Sequence, residues 1–368
     1  MSSHMQRIVI AGGGPAAAAA ATALRERGHD GSIILACAET NPPYSRPPLS
    51  KAYLRADASA EELRLGTADA ELLLGNRVIA VDTVARRIRL ADGGDLAYDG
   101  LVVATGTSAI RPADEAVHVL ETLPDADRLA DALGAARSAI VVGSGLLAFE
   151  LASAAVSRGL DVTLVSRPGA AQRRLGILGG ILSSLAIAHS VHLRASGGTF
   201  RKGRVVLEDG SVLEADLVAA ALGSQPNDAL LPEHRAPGGG LLVNGALRMA
   251  PGIVAAGDVA VRQRADGGRV HDATWTNALA QGDAAAASLL ESDPPLYDPV
   301  PYGWIEAFGT EIKVAGEIPR AASPTVVDGD LGEGRALLSW PGAAAAVGYR
   351  IPIGRLRRLA TQTGTIPV

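Results

Sequence analysis

Arg7-Ile8-Val9-Ile10-Ala11-Gly12-Gly13-Gly14-Pro15-Ala16-Ala17 decides how this chain is read. The apolar run predicts a buried strand, the three glycines a tight turn, and the alanine-rich stretch up to Gly28 a helix. Gly12-x-Gly14-x-x-Ala17 has the spacing of a dinucleotide-binding turn. Gly12 makes the turn, Gly14 lets backbone approach a pyrophosphate, and Ala17 lets the helix pack on the strand. Pro15 and Ala16 open the helix, whose free N–H groups and positive dipole end suit phosphate. One glycine loop is a weak signal. A second copy, Ile140-Val141-Val142-Gly143-Ser144-Gly145-Leu146-Leu147-Ala148, repeats strand, turn and helix and makes coincidence a poor account.

Composition narrows the class. The chain has 368 residues, 48% hydrophobic and 20% charged, enough for two or three domains with sizeable cores. Its net charge of −5, from 34 basic and 39 acidic residues, argues against nucleic-acid binding. Aromatics make up only 3%, too few for recognition by many stacked rings. One cysteine, Cys37, allows neither an internal disulfide nor a Cys-x-x-Cys pair, and points to a reducing, cytoplasmic setting. No apolar run reaches about 18 residues, so no membrane span is expected. Met1-Ser2-Ser3-His4-Met5 lacks the regions of a signal peptide and reads as an appended leader. His118, His189, His192, His234 and His271 show no ligand spacing, and no metal is expected.

The ends of the second strands distinguish the nucleotides. After Ser32–Ala36 the nearest carboxylate for a ribose diol is Glu39, with Ala38 beside it. In the second unit the strand Asp161–Val165 ends in Ser166-Arg167, with Arg173-Arg174 shortly after and no acid. That favours NADPH, with Arg167 on the 2′-phosphate, and leaves NADH open. Between the units, strands are predicted at Gly75–Val81, which includes Val78, at Ile88–Leu90 and at Leu101–Val103. Further predictions are a helix at Asp125–Leu133, a hairpin of Val205–Leu207 with Val212–Leu213, and a strand at Asp216–Leu222 ending at Gly223. Gly176-Ile177-Leu178-Gly179-Gly180 and Ala195-Ser196-Gly197-Gly198 predict that the helix between them is short or mobile.

Pro43-Tyr44-Ser45-Arg46-Pro47-Pro48-Leu49-Ser50-Lys51 is a stiff, positively charged segment. It resembles the signature of the ferredoxin reductases that serve cytochrome P-450 enzymes and ring-hydroxylating dioxygenases. The apoptosis-inducing-factor group is a related branch. Leu101-Val102-Val103-Ala104-Thr105-Gly106, Ala256-Gly257-Asp258 and Trp275-Thr276-Asn277-Ala278-Leu279-Ala280-Gln281 resemble further motifs of that family, so the resemblance covers essentially the whole chain. It implies an FAD site using Gly12, Gly14, Pro15, Ala16, Glu39, Arg46, Lys51, Val78, Thr105, Gly106, Asp258, Trp275 and Trp304. It implies a nicotinamide-nucleotide site using Gly143, Gly145, Leu146, Leu147, Glu150, Ser166, Arg167 and Gly223. Lys51 and Glu150 are the implied catalytic pair, near the flavin and the nicotinamide.

The implied fold class is α/β, with two Rossmann-like dinucleotide-binding domains, the second inserted in the first, and a small α+β C-terminal domain. The expected bounds are 5–107 and 236–296 for FAD, 108–235 for NAD(P)H, and 297–368 for an interface domain. The implied partner is a 2Fe–2S ferredoxin, steered by Arg350, Arg355, Arg357 and Arg358; monomer and dimer both stay open. Three positions depart from the family: Ala273 stands where glutamate is usual, and Glu306-Ala307 where Asp-Gln is common. They keep two alternatives in view, a repurposed flavoenzyme acting on a small organic substrate and a redox-sensing interaction protein.

Overall fold

The computed structural model describes residues 5–264, 266–320 and 322–362; Met1–His4, part of the stretch expected to be an appended leader, lies outside the described residues. Among the described residues the α-helices are α1 (Pro15–Glu26), α2 (Leu123–Ala135), α3 (Leu146–Ser157), α4 (Ala170–Leu175), α5 (Ile177–Ala188), α6 (Trp275–Leu290) and α7 (Ile353–Thr361). None is long and apolar enough to cross a membrane. The chain divides into two compact units. The first gathers the chain up to Arg46, Ala60–Ser108 and Gln225–Pro299; the second gathers Pro47–Ser59, Ala109–Ser224 and the chain from Val300 onward.

The first unit is built on a six-stranded sheet in the order Arg248–Ala250, Ile253–Ala255, Gly100–Val103, Arg7–Ala11, Ser32–Ala36, Glu71–Leu73. Its interior pairings are parallel, so its central strands are apolar on both faces: Ile8, Val9 and Ile10 are each 0% exposed. Small residues let α1 and α6 cross closely. A Cβ on Gly282 would lie 2.3 Å from the Ala16 carbonyl oxygen, and one on Gly257 would lie 2.9 Å from the Ala16 Cβ. That crossing brings the Gly257-Asp258 loop to the first turn of α1.

The second unit repeats the device. Its four-stranded parallel sheet runs His192–Ala195, Asp161–Ser166, Ser138–Gly143, Leu217–Ala221, with α3 following the central strand. A separate five-stranded antiparallel sheet, Tyr302–Ala307, Thr310–Gly316, Ala343–Val347, Arg335–Trp340, Thr325–Asp330, carries α7 on a core that includes Tyr302, Ile351, Leu356 and Leu359.

Three elements differ from the sequence reading. The strand predicted at Gly75–Val81 runs Val78–Asp82, because Gly75, at φ 69°, lies in the turn before it. The predicted helix at Asp125–Leu133 runs Leu123–Ala135, because Thr122 and Asp125 form a reciprocal capping box one turn earlier. The glycines at 176–180 do not shorten the helix: α5 has twelve residues. Leu178, Leu182 and Ala186 bury one face at four-residue spacing. Gly179 is a packing residue, since a Cβ there would meet the Ala171 backbone at 2.4 Å where α4 passes.

Candidate functional site

The glycine loop of the first unit leaves space where a phosphate would lie. A Cβ on Gly12, at φ 143°, would fall 2.1 Å from the Ala104 carbonyl oxygen, so the loop can close only with glycine there. A Cβ on Gly14 would meet nothing within 4 Å, and Gly14 caps α1 with no side-chain hydrogen bond. The first N–H groups of α1 are thus presented to open space, as a pyrophosphate requires. Pro15 and Ala16 form the first turn. Cys37 packs beneath the loop, its Sγ 2.8 Å from where a Gly13 Cβ would stand. Burial, and then the Glu39 charge, push its thiol up to about 11, so it stays protonated at neutral pH.

Other predicted residues lie in the same unit. Glu39 accepts from Arg46 Nη2 at 2.5 Å and from the Tyr44 hydroxyl at 2.5 Å, and the Arg46 guanidinium lies 5.2 Å from the centre of the Tyr44 ring. The segment is therefore ordered by its own side chains. Thr105 and Gly106 are held by a residue that the sequence does not single out. Asn227 donates to the Thr105 carbonyl at 3.0 Å, its carbonyl accepts from the Thr105 hydroxyl at 2.8 Å, and its N–H donates to Gly106 at 3.0 Å. The Gln281 side chain accepts from the Gly257 N–H at 2.8 Å and fixes the loop that carries Asp258. No hydrogen-bond donor reaches the Asp258 carboxylate among the described residues, and burial holds its carboxyl above the ordinary value, against His271 and Arg46. Trp275 opens α6 behind the capping Thr274, and Val78 is buried at the start of the strand Val78–Asp82.

In the second unit Gly143 and Gly145 play the same parts. A Cβ on Gly143 would lie 2.6 Å from the Ala221 carbonyl oxygen. Gly145 caps α3 without a side-chain bond, and its vacant Cβ position lies 3.4 Å from Arg174 Nε. Leu146 and Leu147 form the outward first turn, and Gly223, at φ 104°, follows the strand Leu217–Ala221. Ser166 ends its strand. Arg167, Arg173 and Arg174 follow, all exposed, and no carboxylate pairs with them among the described residues.

Glu150, on the second turn of α3, is the charged centre of this unit. It is 7% exposed and lies 2.6 Å from Lys51 Nζ. Ser50, 6% exposed, donates a short hydrogen bond to the other carboxylate oxygen. Removing one partner of such a buried pair leaves an uncompensated charge, at a cost of about 3–5 kcal/mol. The Pro47–Ser59 segment is tied to the same unit at three more points. The Tyr53 hydroxyl donates to Asp127 at 2.5 Å, Arg55 to Glu306 at 3.1 Å, and Arg158 to the Leu54 carbonyl at 2.5 Å. Trp304 and Tyr302 stack on one face of their strand, centroids 6.2 Å apart. Ala307 is buried, whereas Ala273, in the first unit, is exposed. Arg350, Arg355 and Arg358 are exposed, while Arg357 turns inward over the Tyr302 ring at 5.7 Å.

Two glycine turns each stand at a helix N-terminus in this chain, and the chain is similar to known proteins. The pyridine nucleotide-disulphide oxidoreductase family matches residues 6–282. Rhodocoxin reductase of Rhodococcus erythropolis is 34% identical over 351 residues, 89% of this chain and 82% of that protein. The ferredoxin–NAD(+) reductase component of the p-cumate 2,3-dioxygenase system of Pseudomonas putida is 34% identical over 353 residues, 90% of this chain and 85% of that protein. Among solved structures, the covalent complex of putidaredoxin reductase with putidaredoxin contains a chain with a TM-score of 0.84 at 28% identity, covering 93% of this chain and 89% of that one. The chain belongs to the pyridine nucleotide-disulphide oxidoreductase family, among its ferredoxin reductases.

Proposed function

We propose that this protein is a flavoprotein reductase that passes electrons from NAD(P)H through FAD to a 2Fe–2S ferredoxin serving an oxygenase, in the cytoplasm. One observation carries the reading. The chain holds two dinucleotide cradles, yet its one cysteine is buried, so no dithiol can relay electrons and they must leave to an external acceptor. When bound, FAD supplies the chemistry, taking hydride from the nicotinamide and giving up electrons singly.

The chain's own residues bind and tune. Residues 5–107 and 236–296 form the FAD-binding domain, 108–235 the nucleotide domain, and 297–368 the interface domain. Gly12, Gly14, Pro15 and Ala16 take the FAD pyrophosphate at α1, Glu39 and Arg46 the adenosine side, and Asp258 the ribitol. Val78, Thr105, Gly106, Trp275 and Trp304 complete that site. Gly143, Gly145, Leu146, Leu147 and Gly223 take the nicotinamide nucleotide. Arg167, beside Ser166, receives the 2′-phosphate and makes NADPH the preferred donor; its exposure and lack of an acidic partner support this. Lys51 donates to the flavin edge and Glu150 holds it in place. Arg350, Arg355 and Arg358 steer an acidic ferredoxin.

The test is NADPH-dependent reduction of cytochrome c with and without added 2Fe–2S ferredoxins, alongside stopped-flow reduction of the yellow protein by NADPH and by NADH. Ferredoxin is expected to raise the cytochrome c rate, and NADPH to reduce the flavin faster than NADH. NADPH oxidation indifferent to every ferredoxin tried would count against the reading.

A further inference from the structure

We infer that Ser50 is a positioning residue for the Lys51–Glu150 pair: its hydroxyl occupies one carboxylate oxygen so that the lysine engages only the other. The three side chains close a ring. Lys51 Nζ lies 2.6 Å from Glu150 Oε1, and Ser50 Oγ donates its single proton to Glu150 Oε2. With that proton committed, the Ser50 oxygen accepts from Lys51 Nζ at 3.4 Å. Adjacent residues can reach one carboxylate because Pro47–Ser50 is a single 3-10 turn, from which the Lys51 N–H donates back to the Pro48 carbonyl at 3.0 Å. The ring is nearly dry, with Ser50 and Glu150 at 6% and 7% exposure.

The hydroxyl matters because a carboxylate turns readily about its last torsion and can offer both oxygens to an ammonium. Lys51 has three N–H donors. One is committed to Glu150, while its other contacts, to the Pro47 carbonyl at 3.3 Å and to Ser50 at 3.4 Å, are long and exchangeable. Donor capacity therefore remains for an acceptor on a bound ligand. Without the Ser50 hydroxyl, Glu150 presents two free oxygens and draws that capacity inward.

This rests on the reductase reading, in which Lys51 donates to the flavin edge. Ser50→Ala is expected to move the flavin midpoint potential to a more negative value and to slow hydride transfer from NADPH roughly tenfold, with the nucleotide KM changed less than about twofold. Ser50→Thr, which keeps the hydroxyl, restores both. Glu150→Gln, measured beside them, separates the two ideas. If Glu150→Gln shifts the potential and Ser50→Ala does not, the Ser50 assignment falls and the pair stands. If neither shifts it, both fall. A Ser50→Thr protein as impaired as Ser50→Ala reduces the position to packing and overturns the proposal.

Discussion

At Asp258 burial and charge oppose one another, and among the described residues no hydrogen bond compensates the carboxylate. Burial raises its pKa above the ordinary 3.8, with Asp272 adding to the rise and His271 and Arg46 countering it. A group that the apoprotein holds at a disadvantage marks a place built for a ligand, here the ribitol hydroxyls proposed for it. The sign of the linkage follows. The folded value lies above the unfolded one, so the folded state binds the proton more tightly. Asp258 is neutral and without penalty below the unfolded value. The penalty grows as pH rises through the folded value and is constant above it. Asp258→Asn lacks that penalty. Its apoprotein is expected to melt higher than wild-type apoprotein at pH 7, with the difference vanishing below about pH 4, while its FAD affinity falls. Thermal melts of FAD-free protein across pH check this; a variant that melts lower at pH 7 would refute the account.

The start of α1 separates a glycine needed for folding from one needed for binding. Gly12→Ala places a Cβ 2.1 Å from a backbone oxygen at a φ of 143° and should cost at least about 3 kcal/mol. Gly14→Ala places its Cβ in open space at φ −90° and should change stability by under about 1 kcal/mol. The same Cβ stands where the FAD pyrophosphate is proposed to lie, so the FAD dissociation constant should rise at least roughly tenfold. Denaturant melts and FAD titrations distinguish these outcomes, and equal effects of the two substitutions on stability would show the cradle to be misread. What the sequence made legible follows the same division. Glycine spacing at 12–17 and 143–148, and the hairpin of Arg204–Leu207 with Val212–Leu213, are local signals, and they fold as read. Gly179 and Gly180 read as breakers because the reason for Gly179 is α4 passing over it. Ser50 and Asn227 gave no signal of their own. Each acquires its role from a residue about a hundred or more positions away, which only the fold brings near.

For the whole molecule, the distribution of charge says more than its total. The chain carries a net charge of −5, yet residues 351–362 contain three arginines and no acid. Burial of Leu356, Leu359 and Ala360 turns Arg355 and Arg358, one helical turn apart on α7, toward solvent. Arg350 is exposed just before them, and Asp328 is an acidic neighbour close enough to feel Arg355. Exposed charges of this kind add little to stability but guide encounters with an oppositely charged partner, over a reach of about 8 Å at physiological salt. Reversing Arg355 and Arg358 to glutamate should therefore leave the fold and NADPH-dependent reduction of ferricyanide unchanged. The KM for an acidic ferredoxin should rise roughly tenfold or more at low salt, and adding salt should lower ferredoxin-dependent turnover far less than it does in the wild type. Steady-state assays at two ionic strengths decide the matter. A ferredoxin KM and salt dependence equal to those of the wild type would move the docking surface off α7, because a steering field cannot be reversed at its source without changing the encounter it guides.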